Sequence, residues 1–399
     1  MFRMAVGHSD EIDAEDALQA VFRECDEALD GRAPKAGLLL TSYDTDQQAV
    51  IDGVRRRYPG IELAGATSAG EMSSIHGFTE DSVVLALFAA DAVDITAGLG
   101  TGLAADPDGA TRRAVEDARG KTNLTPKLCI VMPTIGLVEA RVILEGLRSV
   151  LGPDIPVLGG GAAPRDPAAD PTSGVGVSRQ IAGDVVVEDA ISILLLSGPI
   201  AFSFGVHTGW RVVGPRASVT RATDDGVVEI DGQPAIEFYR RYLGTAGPAI
   251  ANPLAVFETP ESERFYLRTP VAYDAVSGRV TFFGAVPEGA TVQITVAAPD
   301  EIFNGATASI ADALATFPAG GTPEAALLYS CATRRYLLGT RAGREIELIR
   351  DALGPAVPIA GLYCMGEIAP MTPAGPALFH NATMVSVLLG EEPGVGPAA

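Results

Sequence analysis

The residues best placed to do chemistry in this chain are two carboxylates that follow one glycine pattern. Gly65-Ala66-Thr67-Ser68-Ala69-Gly70-Glu71 and Gly361-Leu362-Tyr363-Cys364-Met365-Gly366-Glu367 both read GxxxxGE. The glycines permit close backbone approach and positive φ, and the carboxylate falls just past the turn. Ser68, Cys331 and Cys364 are the candidate nucleophiles, yet none stands in GxSxG or another nucleophile signature. The histidines His8, His76, His207 and His380 form no short spacing with Cys25, Cys129, Cys331 and Cys364, so neither a metal cluster nor a disulfide framework is expected. Gly98-Leu99-Gly100 invites a dinucleotide-binding reading, but the third glycine of that fingerprint falls on Leu103 and no helix starts there. Gly159-Gly160-Gly161 could cradle an anion, yet Pro164 and Pro167 follow where a helix N-terminus is required.

The elements that position these residues repeat. Short apolar runs, Leu38 to Thr41, Cys129 to Met132 and Ala326 to Tyr329, read as strands buried on both faces. Each leads to a helix, marked by Val50, Val54 and Tyr58, by Leu144, Leu147 and Leu151, and by Ile346, Ile349 and Leu353. Each helix stops where glycine and proline adjoin: Pro59-Gly60, Gly152-Pro153 and Gly354-Pro355. A strand into the glycine turn follows, with Pro156 to Pro164 as a degenerate middle copy, and then a further apolar strand beginning near Ser82, Ala190 or Thr383. The spacing predicts an α/β protein whose repeated strand-helix-strand units form mixed sheets in two halves, with a β-hairpin-containing insertion between them.

The expected boundaries are an N-terminal domain over 1–220, with repeats at about 2–96 and 97–206, and a C-terminal domain over 221–390. The latter divides into an insertion, 207–289, and a third repeat, 290–390. Ser9 or Asp10 is the expected cap of the first helix. Hairpins are predicted at Asp224-Asp225-Gly226 and at Ser277-Gly278, and a flexible tail over 391–399.

Composition bounds the function. Of 399 residues, 47% are hydrophobic, enough for substantial cores, and 29 basic against 50 acidic residues leave a net charge of −21. That charge repels nucleic acid and anionic membrane surfaces, so neither is an expected partner. The N-terminus turns acidic before a signal-peptide core can form, and the longest apolar run, Ala190 to Val206, is broken by Ser197-Gly198-Pro199. A cytoplasmic location follows as the expectation, and abundant hydrophobic strands are compatible with a homodimer.

Several separated motifs resemble one family. Gly65 to Glu71, the strand from Ser82, Gly209-Trp210, and Glu229 to Ala235 with Tyr239 and Gly244 resemble the FIST N domain and its junction with FIST C. Ser330-Cys331-Ala332-Thr333-Arg334, Gly361-Leu362-Tyr363, Gly366 to Pro370 and His380-Asn381-Ala382-Thr383 resemble the FIST C domain, with Thr333 where the family usually carries glycine. The resemblance implies a bacterial signal-transduction sensor, not an enzyme, that binds a small ligand such as an amino acid and regulates a separate output partner, a histidine kinase or a cyclic-dinucleotide enzyme. It also implies that Cys331, Arg334, Tyr363, Gly366, Glu367, Asn381 and Thr383 line a ligand pocket on neighbouring strand ends, joined by Gly65, Ser68 and Glu71 of the first repeat. A cation, carboxylates and neutral donors suit a zwitterion. The alternative is a haem-binding nitric oxide sensor with His207 or His380 as axial ligand, and the lesser alternative an enzyme using Cys331 or Ser68.

Overall fold

In the computed structural model, residues 1–165, 177–224, 226–244 and 247–393 are described. The first repeat runs β1 (Phe2–Ser9), α1 (Ala14–Leu29), β2 (Ala36–Thr41), α2 (Gln47–Arg57), β3 (Glu62–Thr67), β4 (Glu71–Ser73), β5 (Gly77–Thr79) and β6 (Val83–Ala90). The second runs β7 (Asp94–Thr101), α3 (Pro107–Arg119), β8 (Pro126–Pro133), α4 (Ala140–Leu151), β9 (Val157–Gly160), β10 (Gln180–Ala182), β11 (Val185–Val187) and β12 (Ala190–Ser197).

The third repeat opens with β13 (Ile200–His207) and is then interrupted. The insertion holds β14 (Arg211–Thr223), β15 (Gly226–Ile230), β16 (Gln233–Pro234), α5 (Ala235–Leu243), β17 (Leu254–Phe257), β18 (Phe265–Arg268), β19 (Pro270–Tyr273), β20 (Val280–Phe282) and β21 (Thr291–Val296). The repeat resumes with α6 (Pro299–Thr316), β22 (Ala325–Cys331), α7 (Ala332–Leu338), α8 (Arg344–Leu353), β23 (Ile359–Cys364), β24 (Glu367–Pro370), β25 (Ala377–His380) and β26 (Met384–Glu391).

The architecture is α/β with mixed sheets, and the sheets are shared between repeats. Their strand orders are β1-β6-β2-β3-β10-β11, β7-β12-β8-β9-β24-β25 and β13-β26-β22-β23-β4-β5. Each repeat therefore supplies four strands of its own sheet and sends its hairpin to another: first to third, third to second, second to first. Strands β2 and β3, β8 and β9, and β22 and β23 pair parallel, while the incoming hairpins pair antiparallel. The insertion forms a separate eight-stranded antiparallel sheet. Pairing of β13 with β26 puts residues 200–207 in the third sheet rather than at the end of the second repeat. Locally the two strands flanking Gly198 look like one hairpin, and only their partners separate them.

Alternation explains the layering. Leu38 and Leu40 join Phe88, Ile130, Leu327 and Val387 in one core shared by the three sheets, whereas Leu39 turns outward onto Val50 and Val54 of α2 and Val21 of α1. Outer helices cover each sheet, so the central strands are buried on both faces and read as continuous apolar runs. Asp13, not Ser9 or Asp10, caps α1, accepting from the backbone N–H groups of Glu15 and Asp16 at 2.9 and 3.2 Å. The hairpins β14–β15 and β19–β20 form at the expected places, with residue 225 of the first turn outside the described residues. Of the expected tail, Glu391 ends β26 and Glu392 pairs with Lys127, while residues 394–399 lie outside the described residues, as does Pro167.

The first strand of each repeat carries glycine where the first helix lies on it. A Cβ on Gly7, Gly98 or Gly205 would come 2.3, 2.0 or 2.0 Å from the carbonyl oxygen of Val21, Ala114 or Ser309 on α1, α3 and α6. The Gly98-Leu99-Gly100 stretch is thus a strand that admits a helix backbone. Gly205→Ala is expected to destabilise the fold by about 1–3 kcal/mol. Gly343→Ala, which meets nothing nearer than Phe78 at 3.7 Å, should stay within about 0.5 kcal/mol by the same denaturation midpoint.

Candidate functional site

The glycine turns of the three repeats interlock at one end of the sheets. Ala69 N–H donates to Tyr363 O and Tyr363 N–H to Gly70 O, both at 2.8 Å; Met365 N–H donates to Gly161 O and Gly161 N–H to Gly366 O at 2.9 and 3.0 Å; Ala163 N–H donates to Thr67 O at 2.8 Å. The turns thus bond one another in a cycle. Gly65, Gly159 and Gly361 occupy one equivalent position, where a Cβ would lie 2.0, 2.0 and 2.6 Å from the oxygens of Leu39, Val131 and Leu328. Gly366, at φ +78°, leaves room for the Phe379 ring, which a Cβ would meet at 2.3 Å.

Just beyond these turns the chain enters the hairpin that joins another sheet, which carries its first side chain inward. Glu71 lies opposite Leu362, Glu367 opposite Gly160 and Gln180 opposite Ala66, so the three are equivalent by register. Gln180 is the counterpart missing from the degenerate middle copy, displaced by a longer connection. All three are fully buried. Glu71 accepts from the Ser68 hydroxyl on Oε1 and from Ser82 on Oε2, through Oγ at 2.7 Å and N at 3.2 Å. Glu367 accepts from the Thr383 hydroxyl and from Thr383 N at 3.0 Å, and Cys364 Sγ lies 3.4 Å from its Oε1. Gln180 Oε1 accepts from Thr134 Oγ1 at 2.8 Å, and its Nε2 is unpartnered among the described residues.

Burial raises both carboxyls, Glu71 to about 7, against the opposing pull of the hydroxyl donors. Burial also raises all four thiols, and Glu367 adds to the effect on Cys331 and Cys364. None is an activated thiolate. Ser68 has its proton on Glu71 and its oxygen accepting from Gly70 N at 3.2 Å.

Arg334, expected to meet a ligand, is fully buried and engaged with the protein. Its Nε and Nη2 donate to Glu345 Oε1 at 3.0 and 2.5 Å, its Nη1 to the oxygens of Thr208 and Ala382 at 2.5 and 3.3 Å, and its Nη2 also to Ile302 O at 2.8 Å. All five guanidinium N–H groups are occupied. Glu345 Oε2 takes the Tyr363 hydroxyl at 2.7 Å and Ser330 Oγ at 3.2 Å. Asn381 ties the insertion down, accepting from Thr269 N at 2.9 Å and donating to His380 O at 2.8 Å. The structure therefore gathers the expected residues into buried knots with internal partners, rather than around one open pocket. The spacing could not reveal this, because Glu345 lies on a helix outside the matched motifs.

The axial-ligand candidates do not fit a haem. His380 is buried with Nε2 2.9 Å from Ala369 O, and His207 pairs with Asp312 at 2.6 Å on the surface. Neither lines the cleft beside Ser68 or the cleft beside Arg268. No group of three or more His, Cys, Asp or Glu among the described residues is arranged to hold a metal.

Among the clefts of the described residues, two adjoin the glycine turns or the hairpins that follow them. One, of about 370 Å³, adjoins Ser68 and Gly70 and is polar, with Arg335 held by Glu80 at 2.6 Å and Arg165 by Asp44 at 2.9 Å. The other, of about 350 Å³, lies where α4, the insertion and the β24–β25 hairpin meet, walled by Leu144, Ile155, Val157, Tyr266 and Phe379. Arg268 reaches into its lining. A single arginine at the end of a short strand carries no signal in the sequence.

Arg334→Ala should cost about 3–5 kcal/mol, because it strands a buried carboxylate. Arg335→Ala, which breaks a half-exposed pair, should cost no more than about 1 kcal/mol in the same unfolding experiment. Glu71 holds its proton to about pH 7 when folded but only to about 4.5 in its ordinary state. Its contribution to stability is therefore greatest below about pH 4.5, falls as pH rises through that window, and is fully lost above about 7. Glu71→Gln, which installs the side chain found at 180, should gain stability relative to the parent between about pH 5 and pH 8. Equal differences at both pH values would refute the assignment. His8, lowered to about 4 by burial and 3.0 Å from the Ser82 hydroxyl that Glu71 also uses, pulls the opposite way between about 4 and 6.5, so the change between about pH 6.5 and pH 8 isolates Glu71.

Family models place the chain. The FIST N domain matches residues 35–233 and the FIST C domain residues 235–370. No curated protein matches. Among solved structures, a cyanuric acid hydrolase from A. caulinodans is similar over 98% of this chain and 99% of that chain, at 10% identity and a TM-score of 0.36. T. maritima PurL complexed with ATP is similar over 98% of this chain and 71% of that chain, at 12% identity and a TM-score of 0.22. Neither likeness is close enough to carry an argument. With consecutive models spanning both halves and the glycine-turn motifs falling within them, the chain belongs to the FIST family of signal-transduction sensory domains.

Proposed function

We propose that this protein senses a small polar metabolite, an amino acid or a molecule like one, and relays its binding to an output partner on a separate chain in the cytoplasm. The reading rests on one observation: the apolar-walled cleft lies where α4 of the second repeat, the hairpin of the third repeat and the insertion meet. A ligand there touches three segments at once. It therefore has different contacts in any two arrangements of those segments, which is what shifting a conformational equilibrium requires. Its volume lies within the range of small-molecule sites. No helix among the described residues is long and apolar enough to cross a membrane.

A thermal-shift screen of amino acids and small organic acids tests the reading. A ligand confined to the native state at about 100 times its Kd stabilises it by about 2.7 kcal/mol, a readily measured increase in melting temperature. A reproducible, saturable increase for one chemical class is the expected result. Complete absence of stabilisation across the screen would remove the small-ligand reading and leave a protein-binding adaptor.

A further inference from the structure

We infer that Arg268 anchors the carboxylate of a small organic acid with a flat apolar body in the cleft between α4, the insertion and the β24–β25 hairpin. The inference rests on the ligand-sensing reading above and names the chemistry of that site. Arg268 is 8% exposed, yet no carboxylate among the described residues lies within ion-pair distance of it. Its Nε donates to Ala285 O at 3.0 Å, and its Nη1 donates to Leu267 O and Phe379 O, each at 2.9 Å. Nη2 makes no hydrogen bond among the described residues. A purely structural clamp accounts for Nε and Nη1, which hold the seam through carbonyls. It leaves unexplained both the unused Nη2 and a full positive charge kept in the interior without a counter-ion, an arrangement whose desolvation costs several kcal/mol. Arg334 is the contrast within the same chain: fully buried, it is paired with Glu345 and has every N–H engaged.

The surroundings define the missing partner. The guanidinium carbon lies 4.3 Å from the Tyr266 ring centre and 5.8 Å from that of Phe379, within cation–π range of both rings. Gly284, at φ +98°, leaves the space beside it open, since a Cβ there would come 3.1 Å from Nε and 3.3 Å from Phe379. Burial lowers the pKa of Arg268, while Tyr266 and Glu139 act against the shift. The other charged groups lining the cleft are on or just before α4: Arg141 and Glu145 pair with each other at 2.7 Å, Arg148 lies one turn further along, and Glu139 makes no ion pair among the described residues. A carboxylate would supply the acceptors that Nη2 lacks and neutralise the buried charge. The apolar walls would take the body of the molecule, and an ammonium beside the carboxylate would find Glu139.

Binding of phenylacetate, L-phenylalanine, benzyl alcohol and acetate to the full chain, measured by calorimetry, tests this. Phenylacetate or L-phenylalanine is expected to saturate the protein, with benzyl alcohol and acetate each weaker by about tenfold or more. Arg268→Lys, which keeps the charge but loses the planar fork, should weaken the bound acid by about tenfold or more. Ala377→Phe puts a large side chain among the residues that line the cleft, leaves Arg268 itself unchanged and should abolish binding; it decides the matter if the lysine variant does not fold. Equal binding of acid and alcohol, unchanged binding by either variant, or no binding of any of the four probes would overturn the anchor. A compound from the wider screen that stabilises the parent and Arg268→Lys alike would overturn it too, while leaving the sensory reading intact. Failure of every compound to stabilise the parent would instead remove both.

Discussion

Each of the three six-stranded sheets is finished by a hairpin from another repeat, and the hydrogen bonds of that exchange are the constraint on which the structure depends. Without β10, β24 and β4, the strands β3, β9 and β23 would be sheet edges with unpaired backbone groups. No repeat can close its own edge, because its hairpin leaves for another sheet. The three glycine turns are where the chain makes that departure, and they bond to one another as they do so. Glycine is required there by contact with a neighbouring carbonyl at Gly65, Gly159 and Gly361 and with an aromatic ring at Gly70 and Gly366. The same crossing drives Glu71, Gln180 and Glu367 into the interior, where hydroxyls of Ser68, Ser82, Thr134 and Thr383 meet them.

The buried polar groups then fall into two kinds. Around Glu345, donors and acceptors match: Arg334, Tyr363 and Ser330 use their hydrogens on one carboxylate and on the carbonyls of three separate segments, fastening α6, α7 and the start of β26 to β13. Such a network specifies geometry and has nothing left to offer a ligand. At the seam between the second repeat and the insertion, the matching stops one donor short. Arg268 holds three carbonyls and keeps a positive charge and an open donor beside an apolar cleft. The open donor separates this arginine from the internally satisfied Arg334.

The insertion belongs to this division of labour. It interrupts the third repeat between its first strand and first helix, the point where β1 and β7 lead directly to α1 and α3. It has its own antiparallel sheet and a core of its own. It meets the repeats through Ala255, Phe257 and Leu267, which share a core with α6, α7 and α8, through Arg268, and through Thr269, whose N–H is held by Asn381. The cleft is thus bounded by an added element and by segments of two repeats.

How much of this was legible is clear from particular residues. Runs such as Leu38 to Thr41 declared strands buried on both faces, Gly152 and Gly354 declared helix ends, and the glycine turns declared a repeat, because propensity, burial and turn chemistry act over a few neighbours. The family followed from motifs of the same local kind. Partners were not legible. Glu71 faces the sheet of residues 359–364, Gln180 fills the place of a glutamate behind a longer connection, and Arg334 finds Glu345 and three carbonyls from distant segments. Arg268 looked like any basic residue at a strand end, since nothing in Phe265-Tyr266-Leu267-Arg268 shows that its side chain will be buried without an anion. By itself the sequence determined the elements, the repeat and the family. The tertiary structure alone decided which polar groups are satisfied, because satisfaction depends on which distant backbone and side-chain atoms packing brings within about 3 Å.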